Sequence, residues 1–335
     1  MPLILLLLSL ATALTTTDQR ISYLAWQERQ EQPVEPHPEP GYRFMSEIHA
    51  ELAELVRRRP GVIHPFRAGR SVRRAPLWAF RIHRPDRPSR IKVLVFAGLH
   101  ALEWIGSEVA TSWARNLVLH PVDGVEVVVL PIANPDGRQR VEQDLLEGTQ
   151  RYRRANWAGT DLNRDFGVHR EPTALWRHLL PGYYASSPSA LSQPETRAID
   201  KLAMEQFDVV VSLHAFGGWI FYPWAGKWDQ TPHELAFVEL SQVLQRGQGA
   251  HAYRARQLSR WGFFFRAQGS EIDHLYGKYE SLSFIIELTR SGIERPRVGG
   301  LEVLPHRRAD FGRVLPKHEG RMEGRHHGDL EFADP

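Results

Sequence analysis

The stretch Ile91-Lys-Val-Leu-Val-Phe-Ala-Gly-Leu-His100 decides the fold class of this chain. Its run of β-branched and aromatic residues from Ile91 to Ala97 predicts a buried strand. The segment that follows, Glu103 to Val118, carries apolar residues at helical spacing along one face. A buried strand that leads directly into an amphipathic helix is the repeating unit of α/β proteins.

The same alternation continues along the chain. Residues 125–132, 207–213 and 283–288 are apolar, strand-like runs, and residues 235–244 form another amphipathic helical pattern. We therefore expect an α/β fold, in which a single globular domain has a mixed, largely parallel twisted central sheet flanked by helices. In such sheets, ligand sites lie beyond the carboxyl ends of the strands.

The composition narrows the chemistry that such a domain can perform. The 335 residues include 16 His and no Cys, which excludes disulfides, thiolate metal ligands and a cysteine nucleophile. A bound metal must therefore take nitrogen and oxygen ligands from His, Asp and Glu. The 42 Lys and Arg residues nearly balance the 39 Asp and Glu residues, so we predict no nucleic-acid partner. We expect the chain to be a monomer.

The first residues resemble an export signal. Leu3 to Leu14 is an apolar run that is too short to span a bilayer, and Ala11-Thr-Ala13 supplies a small-residue cleavage pattern. Met1-Pro2 lacks the usual basic charge, so an N-terminal membrane anchor or a cytosolic extension stays an alternative. We expect a secreted or periplasmic protein that does not insert stably into a membrane after signal cleavage.

Composition also changes near both ends of the central region. Residues 29–41 are rich in Pro and Glu and are typical of an extended linker, and the last residues are charged and almost free of apolar side chains. The predicted segments are a signal peptide at 1–13, an N-terminal segment ending in the Pro/Glu-rich linker at 14–41, a globular domain at 42–315 and a disordered charged tail at 316–335.

Four side chains with metal-binding or acid–base chemistry stand at the ends of the predicted strands. His100 closes the first strand and Glu103 follows at the start of the helix, whereas His214 and Glu287 end two later apolar runs. Zinc in catalytic sites takes imidazole and carboxylate ligands and keeps one position open for water. The pattern therefore indicates three ligands, His100, Glu103 and His214, with Glu287 as the general base.

Each of these residues also has a structural interpretation. An isolated His-x-x-Glu pattern often forms only a helix cap with a hydrogen bond, and a lone histidine on an apolar strand is more often a satisfied core residue. Glu287 is harder to explain in that way, because a buried carboxylate without a partner is costly.

Five motifs in a fixed order distinguish between these interpretations. They are Gly98-Leu-His-Ala-Leu-Glu-Trp-Ile105, Asn134-Pro-Asp-Gly137, Asp161-Leu-Asn-Arg164, Ser212-Leu-His-Ala-Phe-Gly-Gly-Trp-Ile-Phe-Tyr-Pro223 and Phe284-Ile-Ile-Glu-Leu288. Through these motifs the chain resembles the zinc metallocarboxypeptidases of the carboxypeptidase A type, from Tyr42 to about Leu315.

The resemblance implies a function and a role for the four clustered residues. It implies that residues 42–315 are a catalytic domain that hydrolyses the C-terminal bond of peptides or proteins. One Zn²⁺ per chain would be held by His100, Glu103 and His214. Glu287 would take a proton from the attacking water and return it to the leaving amine.

The resemblance also implies roles for polar residues of the loop before residue 165. Asn163 and Arg164 match the pair that binds the terminal carboxylate of the substrate, and a forked guanidinium suits that group. Asp161 matches the carboxylate that is hydrogen-bonded to the first zinc histidine, here His100. Arg153 matches the arginine that stabilises the oxyanion, and Arg154 is the competing assignment by one position.

Residues around the expected substrate pocket depart from the family or stay ambiguous. Phe265 falls where many members have a mobile tyrosine that covers the substrate, and Tyr276 or Tyr279 is the alternative. Ile272 matches the residue that selects the C-terminal side chain, which implies a preference for neutral or apolar termini. A slip of one residue would replace it with an acidic neighbour and favour Lys or Arg instead.

Two other functions compete with carboxypeptidase activity. An exported peptidase of the same fold that cuts peptidoglycan stem peptides is the first. A non-catalytic module that binds zinc or peptides is the second, but such a module has no need for Glu287.

Overall fold

The computed structural model describes residues 2–30, 42–149, 151–170, 187–262 and 266–289. Residues 31–41 of the predicted linker, Phe265 and the predicted tail at 316–335 lie outside this set. The helices are α1 Pro2–Gln27, α2 Met45–Arg58, α3 Trp104–Leu119, α4 Pro135–Leu146, α5 Pro194–Ala203, α6 Glu234–Gln248 and α7 Glu271–Tyr279. The strands are β1 Ile63–Arg70, β2 Pro76–Ile82, β3 Ile91–Ala97, β4 Val125–Leu130, β5 Val209–Ala215, β6 Trp219–Tyr222, β7 Arg254–Gln257 and β8 Leu282–Leu288.

The strands form a single mixed sheet in the order β1-β2-β4-β3-β5-β8-β6-β7. The central strands β4, β3, β5 and β8 run parallel to one another. The pairs β1 with β2, β2 with β4 and β6 with β8 are antiparallel. The predicted α/β class with a mixed sheet is confirmed, and the antiparallel hairpin of β1 and β2 is an addition to the sequence-based expectation.

Alternating side chains of the central strands bury both faces of the sheet. Val95, Val129, Val211 and Ile286 belong to the core beneath α2, α3 and α6. Leu94, Phe96, Val128, Leu130 and Val210 belong to the core on the opposite face, beneath α5. Because both faces are covered, the strands read as continuous apolar runs in the sequence, as is typical of buried parallel strands.

Two glycines allow α3 to lie close to the carboxyl ends of β3 and β5. Gly98, directly after β3, has a φ of +66°, a backbone conformation that residues with a side chain rarely adopt. A Cβ on Gly106, in the first turn of α3, would lie only 2.8 Å from the carbonyl oxygen of Leu213 in β5. The close approach brings the N-terminal end of α3 next to the end of β5.

Helix α1 adds residues before the predicted linker to the folded unit. Tyr23 is fully buried, and its hydroxyl donates a hydrogen bond of 2.9 Å to the backbone oxygen of His49 in α2. Its ring also packs edge-on against Trp78 and Phe80 of β2. Across the described residues, no helix combines the length and the apolar character needed to cross a membrane.

Candidate metal centre and active site

The predicted ligands His100, Glu103 and His214 converge at the carboxyl ends of β3 and β5. The Nδ1 atoms of the two histidines lie 3.0 Å apart. Glu103 Oε1 is 2.8 Å from His100 Nδ1, and Glu103 Oε2 is 2.9 Å from His214 Nδ1. All three side chains are buried, and they form the only group of this kind among the residues that the structure describes.

Local structure explains why these atoms face one another. His100 lies in the short turn between β3 and α3, and His214 is the second-to-last residue of β5. Glu103 is the N-cap residue of α3, but its side chain makes no capping hydrogen bond. The carboxylate points instead between the two imidazole rings, so capping of the helix is given up at this position.

The far nitrogen of each ring is held by a carboxylate. His100 Nε2 is 3.0 Å from Asp161 Oδ1, as predicted for Asp161. His214 Nε2 is 2.8 Å from Glu271 Oε1 and 2.9 Å from Ser212 Oγ. A proton on each Nε2 satisfies these acceptors and leaves both Nδ1 lone pairs directed at the same point, which is the arrangement found at metal-binding histidines.

The chemistry of this donor set fits zinc. Two neutral imidazoles and a carboxylate are the ligands of catalytic zinc sites, and orienting carboxylates on the histidines are common there. Burial would by itself raise the pKa of Glu103, but His100 and His214 lower it well below its ordinary value. Glu103 therefore stays ionised, and a cation between the three side chains would replace protons as the group that balances its charge.

Glu287 lies beside the three predicted ligands. It is the register partner of His214 in the parallel pair of β5 and β8, so the two side chains share one face of the sheet. Burial and the nearby Glu103 raise the pKa of Glu287 to about 8, whereas His214 and Arg154 oppose the shift. A bound dication would favour the carboxylate and lower this pKa.

The structure places Arg154, and not Arg153, next to the predicted ligands. Arg154 Nε donates to Asp161 Oδ2 at 2.8 Å, and Nη1 lies 3.3 Å from Glu103 Oε1. Arg153 instead forms a salt bridge with Asp144 of α4, with Nη2 2.9 Å from Oδ1. Of the two arginines that the sequence left open, Arg154 is therefore the one beside the predicted ligands, whereas the preferred Arg153 is paired with Asp144.

Asn163 and Arg164 lie in a short 3₁₀ turn over Leu162–Arg164. Asp161 caps the turn by accepting a hydrogen bond of 2.9 Å from the backbone N–H of Asn163. The amide oxygen of Asn163 accepts from the backbone N–H of Glu271 at 3.2 Å, and Arg164 Nη1 donates to the backbone oxygen of Asn163 at 2.6 Å. Both side chains are buried, and these hydrogen bonds connect the turn to Asp161 and Glu271, whose carboxylates contact the two histidines.

Ile272 and its neighbour Glu271 face opposite environments at the start of α7. Ile272 is fully buried in an apolar cluster with Phe221 of β6, Ile285 of β8 and the loop residue Ala267. Glu271 points to His214 instead. The carboxylates on both sides of Ile272 are thus engaged, Glu271 with His214 and Asp273 with the backbone N–H groups of Ala225 and Gly226. No sequence pattern assigns Glu271 to the metal centre, and its only signal in the sequence is a carboxylate next to Ile272.

The two tyrosines named as substitutes for a substrate-covering ring have other partners. The hydroxyl of Tyr276 lies 2.9 Å from His233 Nδ1, and its ring packs against Phe237 of α6. The hydroxyl of Tyr279 donates to Asp200 Oδ1 of α5 at 2.7 Å. Both rings are thus used in contacts between α7 and its neighbouring helices, and Phe265 lies outside the described residues.

Comparison with protein families gives a match that covers most of the chain. The family model described as zinc carboxypeptidase, peptidase M14, matches residues 48–309. This range contains the predicted ligands, Glu287, and the loop that carries Arg154 and Arg164. The match agrees with the resemblance carried by the five sequence motifs.

Curated relatives are similar over three quarters of the chain. Carboxypeptidase A6 of Mus musculus is 23% identical over 268 residues, which are 75% of this chain and 61% of that protein. Zinc carboxypeptidase A 1 of Drosophila melanogaster is 25% identical over 276 residues, which are 75% of this chain and 62% of that protein. The matched part of this chain thus spans about three fifths of the length of these relatives.

Solved structures share the fold at low sequence identity. Carboxypeptidase A from Helicoverpa armigera superposes with a TM-score of 0.66 at 20% identity, covering 89% of this chain and 77% of that one. Thrombin activatable fibrinolysis inhibitor superposes with a TM-score of 0.66 at 17% identity, covering 82% of this chain and 69% of that one. At such identities the likeness establishes the architecture alone.

Proposed function

Because this chain belongs to the zinc carboxypeptidase family, we propose that it hydrolyses the C-terminal peptide bond of peptides and proteins with one zinc ion per chain. The observation that carries the proposal is the meeting of His100, Glu103 and His214, with Glu287 opposite His214 in register. Three buried ligands that leave room for water, with a carboxylate beside them, are the parts required for metal-assisted hydrolysis.

The general base in this proposal is Glu287. When bound, zinc supplies a Lewis acid that polarises a carbonyl and makes water acidic enough to react near neutral pH. Glu287 accepts one proton as the water oxygen bonds to the scissile carbonyl carbon. It then delivers this proton to the amide nitrogen as the carbon–nitrogen bond breaks, so that a free amino acid and a shortened peptide leave the site.

Arginine side chains position the substrate and stabilise developing charge. Arg154, fixed by Asp161 and Glu103, is the donor that we assign to the oxyanion of the tetrahedral intermediate. Burial opposes its charged state, but Asp161 and Glu103 raise the pKa of Arg154 further above its ordinary value, so it stays cationic. Arg164 and Asn163 bind the terminal carboxylate, which restricts cleavage to the last residue of the chain.

Neutral or apolar C-terminal residues are the proposed preference. Ile272 contributes an apolar side chain to the cluster beside the site, and the adjacent carboxylate of Glu271 is hydrogen-bonded to His214. Asp273, the other acidic neighbour of Ile272, is bonded to Ala225, Gly226 and His169, so neither acidic neighbour offers a free carboxylate to a Lys or Arg terminus. The apolar start of the chain supports export of this enzyme to a periplasm or the cell exterior.

A release assay tests the function and its competitors together. Peptides that differ only in the last residue are compared with the same peptides carrying a C-terminal amide and with a peptidoglycan stem peptide. We expect release of free C-terminal amino acids, most rapidly for apolar residues, and much slower reaction of the amides. Cleavage of the stem peptide alone would support the competing peptidase, and zinc binding without any cleavage would support the binding module.

A further inference from the structure

We propose that Glu271 is a positioning residue for the metal centre, holding the ring of His214 so that Nδ1 faces the zinc ion. The inference rests on the proposed function, since it takes His214 to be a zinc ligand. The same role for Asp161 at His100 was predicted from the family resemblance, but the part played by Glu271 follows from the geometry of α7 alone.

The contacts of Glu271 leave its carboxylate committed to His214. The side chain is fully buried in the first turn of α7, and Oε1 lies 2.8 Å from His214 Nε2. The other oxygen, Oε2, accepts a hydrogen bond of 3.2 Å from Ser270 Oγ. Within the described part of the chain, His214 is the one basic side chain that forms an ion pair with Glu271. Burying a carboxylate without a compensating partner is costly, and the imidazole of His214 is the partner that compensates the charge of Glu271.

The charge of Glu271 has a specific effect that a neutral partner would not supply. Ser212 Oγ also lies 2.9 Å from His214 Nε2 and can hold the ring in place by itself. A carboxylate in addition makes the imidazole a stronger electron donor at Nδ1 and fixes the tautomer with its proton on Nε2. We therefore expect Glu271 to strengthen zinc binding beyond simple orientation of the ring.

The backbone of Glu271 serves a separate contact. Its N–H donates to the amide oxygen of Asn163 at 3.2 Å, and this bond does not involve the carboxylate. Substitution of the side chain therefore leaves the link to the proposed carboxylate-binding residue in place. The expected consequence is a weaker affinity for zinc, with a nearly unchanged KM when the enzyme is saturated with zinc.

The test is a set of zinc dissociation constants measured by competition with a chromophoric chelator. Glu271→Ala is expected to weaken zinc binding by roughly 10- to 100-fold. Glu271→Gln should lie between this variant and the wild type, because its amide oxygen accepts the Nε2 proton but carries no charge. Asp273→Asn is the matched control, since Asp273 is a buried carboxylate of the same helix turn that binds Ala225, Gly226 and His169 instead.

The outcomes separate this inference from the proposed function. Zinc affinity that stays within about twofold of the wild type in Glu271→Ala, alongside a loss of thermal stability like that of Asp273→Asn, would overturn the positioning role. A wild-type chain that binds no zinc, or a His214→Ala variant that binds it as tightly as the wild type, would overturn the proposed metal site itself. A rise in KM of zinc-saturated Glu271→Ala equal to its loss of zinc affinity would also contradict the proposal.

Discussion

His49 and His214 are buried to nearly the same degree but lie in opposite electrostatic environments. His49 is 4% exposed in α2, where the rings of Trp26 and Tyr23 surround it, and burial lowers its pKa to about 3. His214 is 1% exposed in β5, where Glu103 and Glu271 face its two nitrogens. Burial opposes protonation there too, but these carboxylates raise the pKa of His214 well above its ordinary value.

Burial therefore does not distinguish the two histidines, whereas the groups that face their ring nitrogens do. His49 is a core histidine that packs against aromatic rings and stays neutral. His214 directs one nitrogen at a second histidine and a carboxylate, which would be unfavourable without a cation or a proton between them.

The largest difference between the two histidines is expected in zinc content after each is replaced by an apolar residue. We expect His214→Ala to lose stoichiometric zinc and peptidase activity, because one of three ligands is gone and the loss should exceed the roughly 10- to 100-fold effect of an orienting residue. His49→Leu should retain one zinc per chain. Elemental analysis of the two purified variants measures this, and loss of zinc from the His49 variant alone would reverse our assignment.

Substitution of Glu287 tests proton transfer without removing any of the three predicted metal ligands. Glu287→Gln keeps the shape of the side chain but cannot accept a proton, so turnover should fall by roughly 10²- to 10⁴-fold with zinc content unchanged. Single-turnover rates on a peptide with an apolar terminus provide the measurement. A variant that turns over at the wild-type rate would exclude Glu287 as the general base.

The adjacent residues Arg153 and Arg154 should differ in their effect on catalysis. Arg154 contacts the carboxylates around the histidines, and Arg153 pairs with Asp144. Arg154→Ala should lower kcat by about 10²- to 10³-fold, the usual effect of removing an oxyanion donor. Arg153→Ala should change kcat by less than about threefold, because a partly exposed salt bridge contributes little. Equal effects of the two substitutions would contradict the structural placement.

The smallest effect is a dependence of stability on pH that comes from His49. The pKa of His49 is about 3 in the folded state, whereas a solvent-exposed histidine has a pKa of 6.5. The unfolded chain therefore binds a proton at a higher pH than the folded chain does. The contribution is fully present above about pH 6.5, and about 2 kcal/mol is lost between pH 7.5 and pH 5. Urea unfolding of zinc-free wild type and His49→Leu measures it. An equal loss of stability in both proteins over this pH range would contradict the assignment.

The central strands and the grouping of His100, Glu103 and His214 could be predicted because their signals are local. The run Ile91 to Ala97 matches β3 from end to end, and the predicted helix at Glu103 to Val118 is shifted by one residue from α3. His100, Glu103 and His214 directly follow or end such strands, and parallel strands bring their carboxyl ends to one edge.

Features that depend on the direction of a side chain or on distant contacts could not be predicted. Arg153 and Arg154 are neighbours of the same type in a loop without periodicity, so only the structure shows which one faces Asp161 and Glu103. Glu271 lies 57 residues from His214 along the chain, and no local pattern connects them. The packing of α1 through Tyr23 likewise depends on contacts with α2 and β2.

Stepwise return of zinc to the chelated protein shows whether peptide hydrolysis depends on one bound zinc ion. Release of a C-terminal amino acid is measured after complete removal of metal and again as zinc is added in fractions of an equivalent. We predict no activity without metal and a linear recovery that stops at one zinc per chain. Activity that survives complete removal of zinc would exclude a zinc-dependent mechanism.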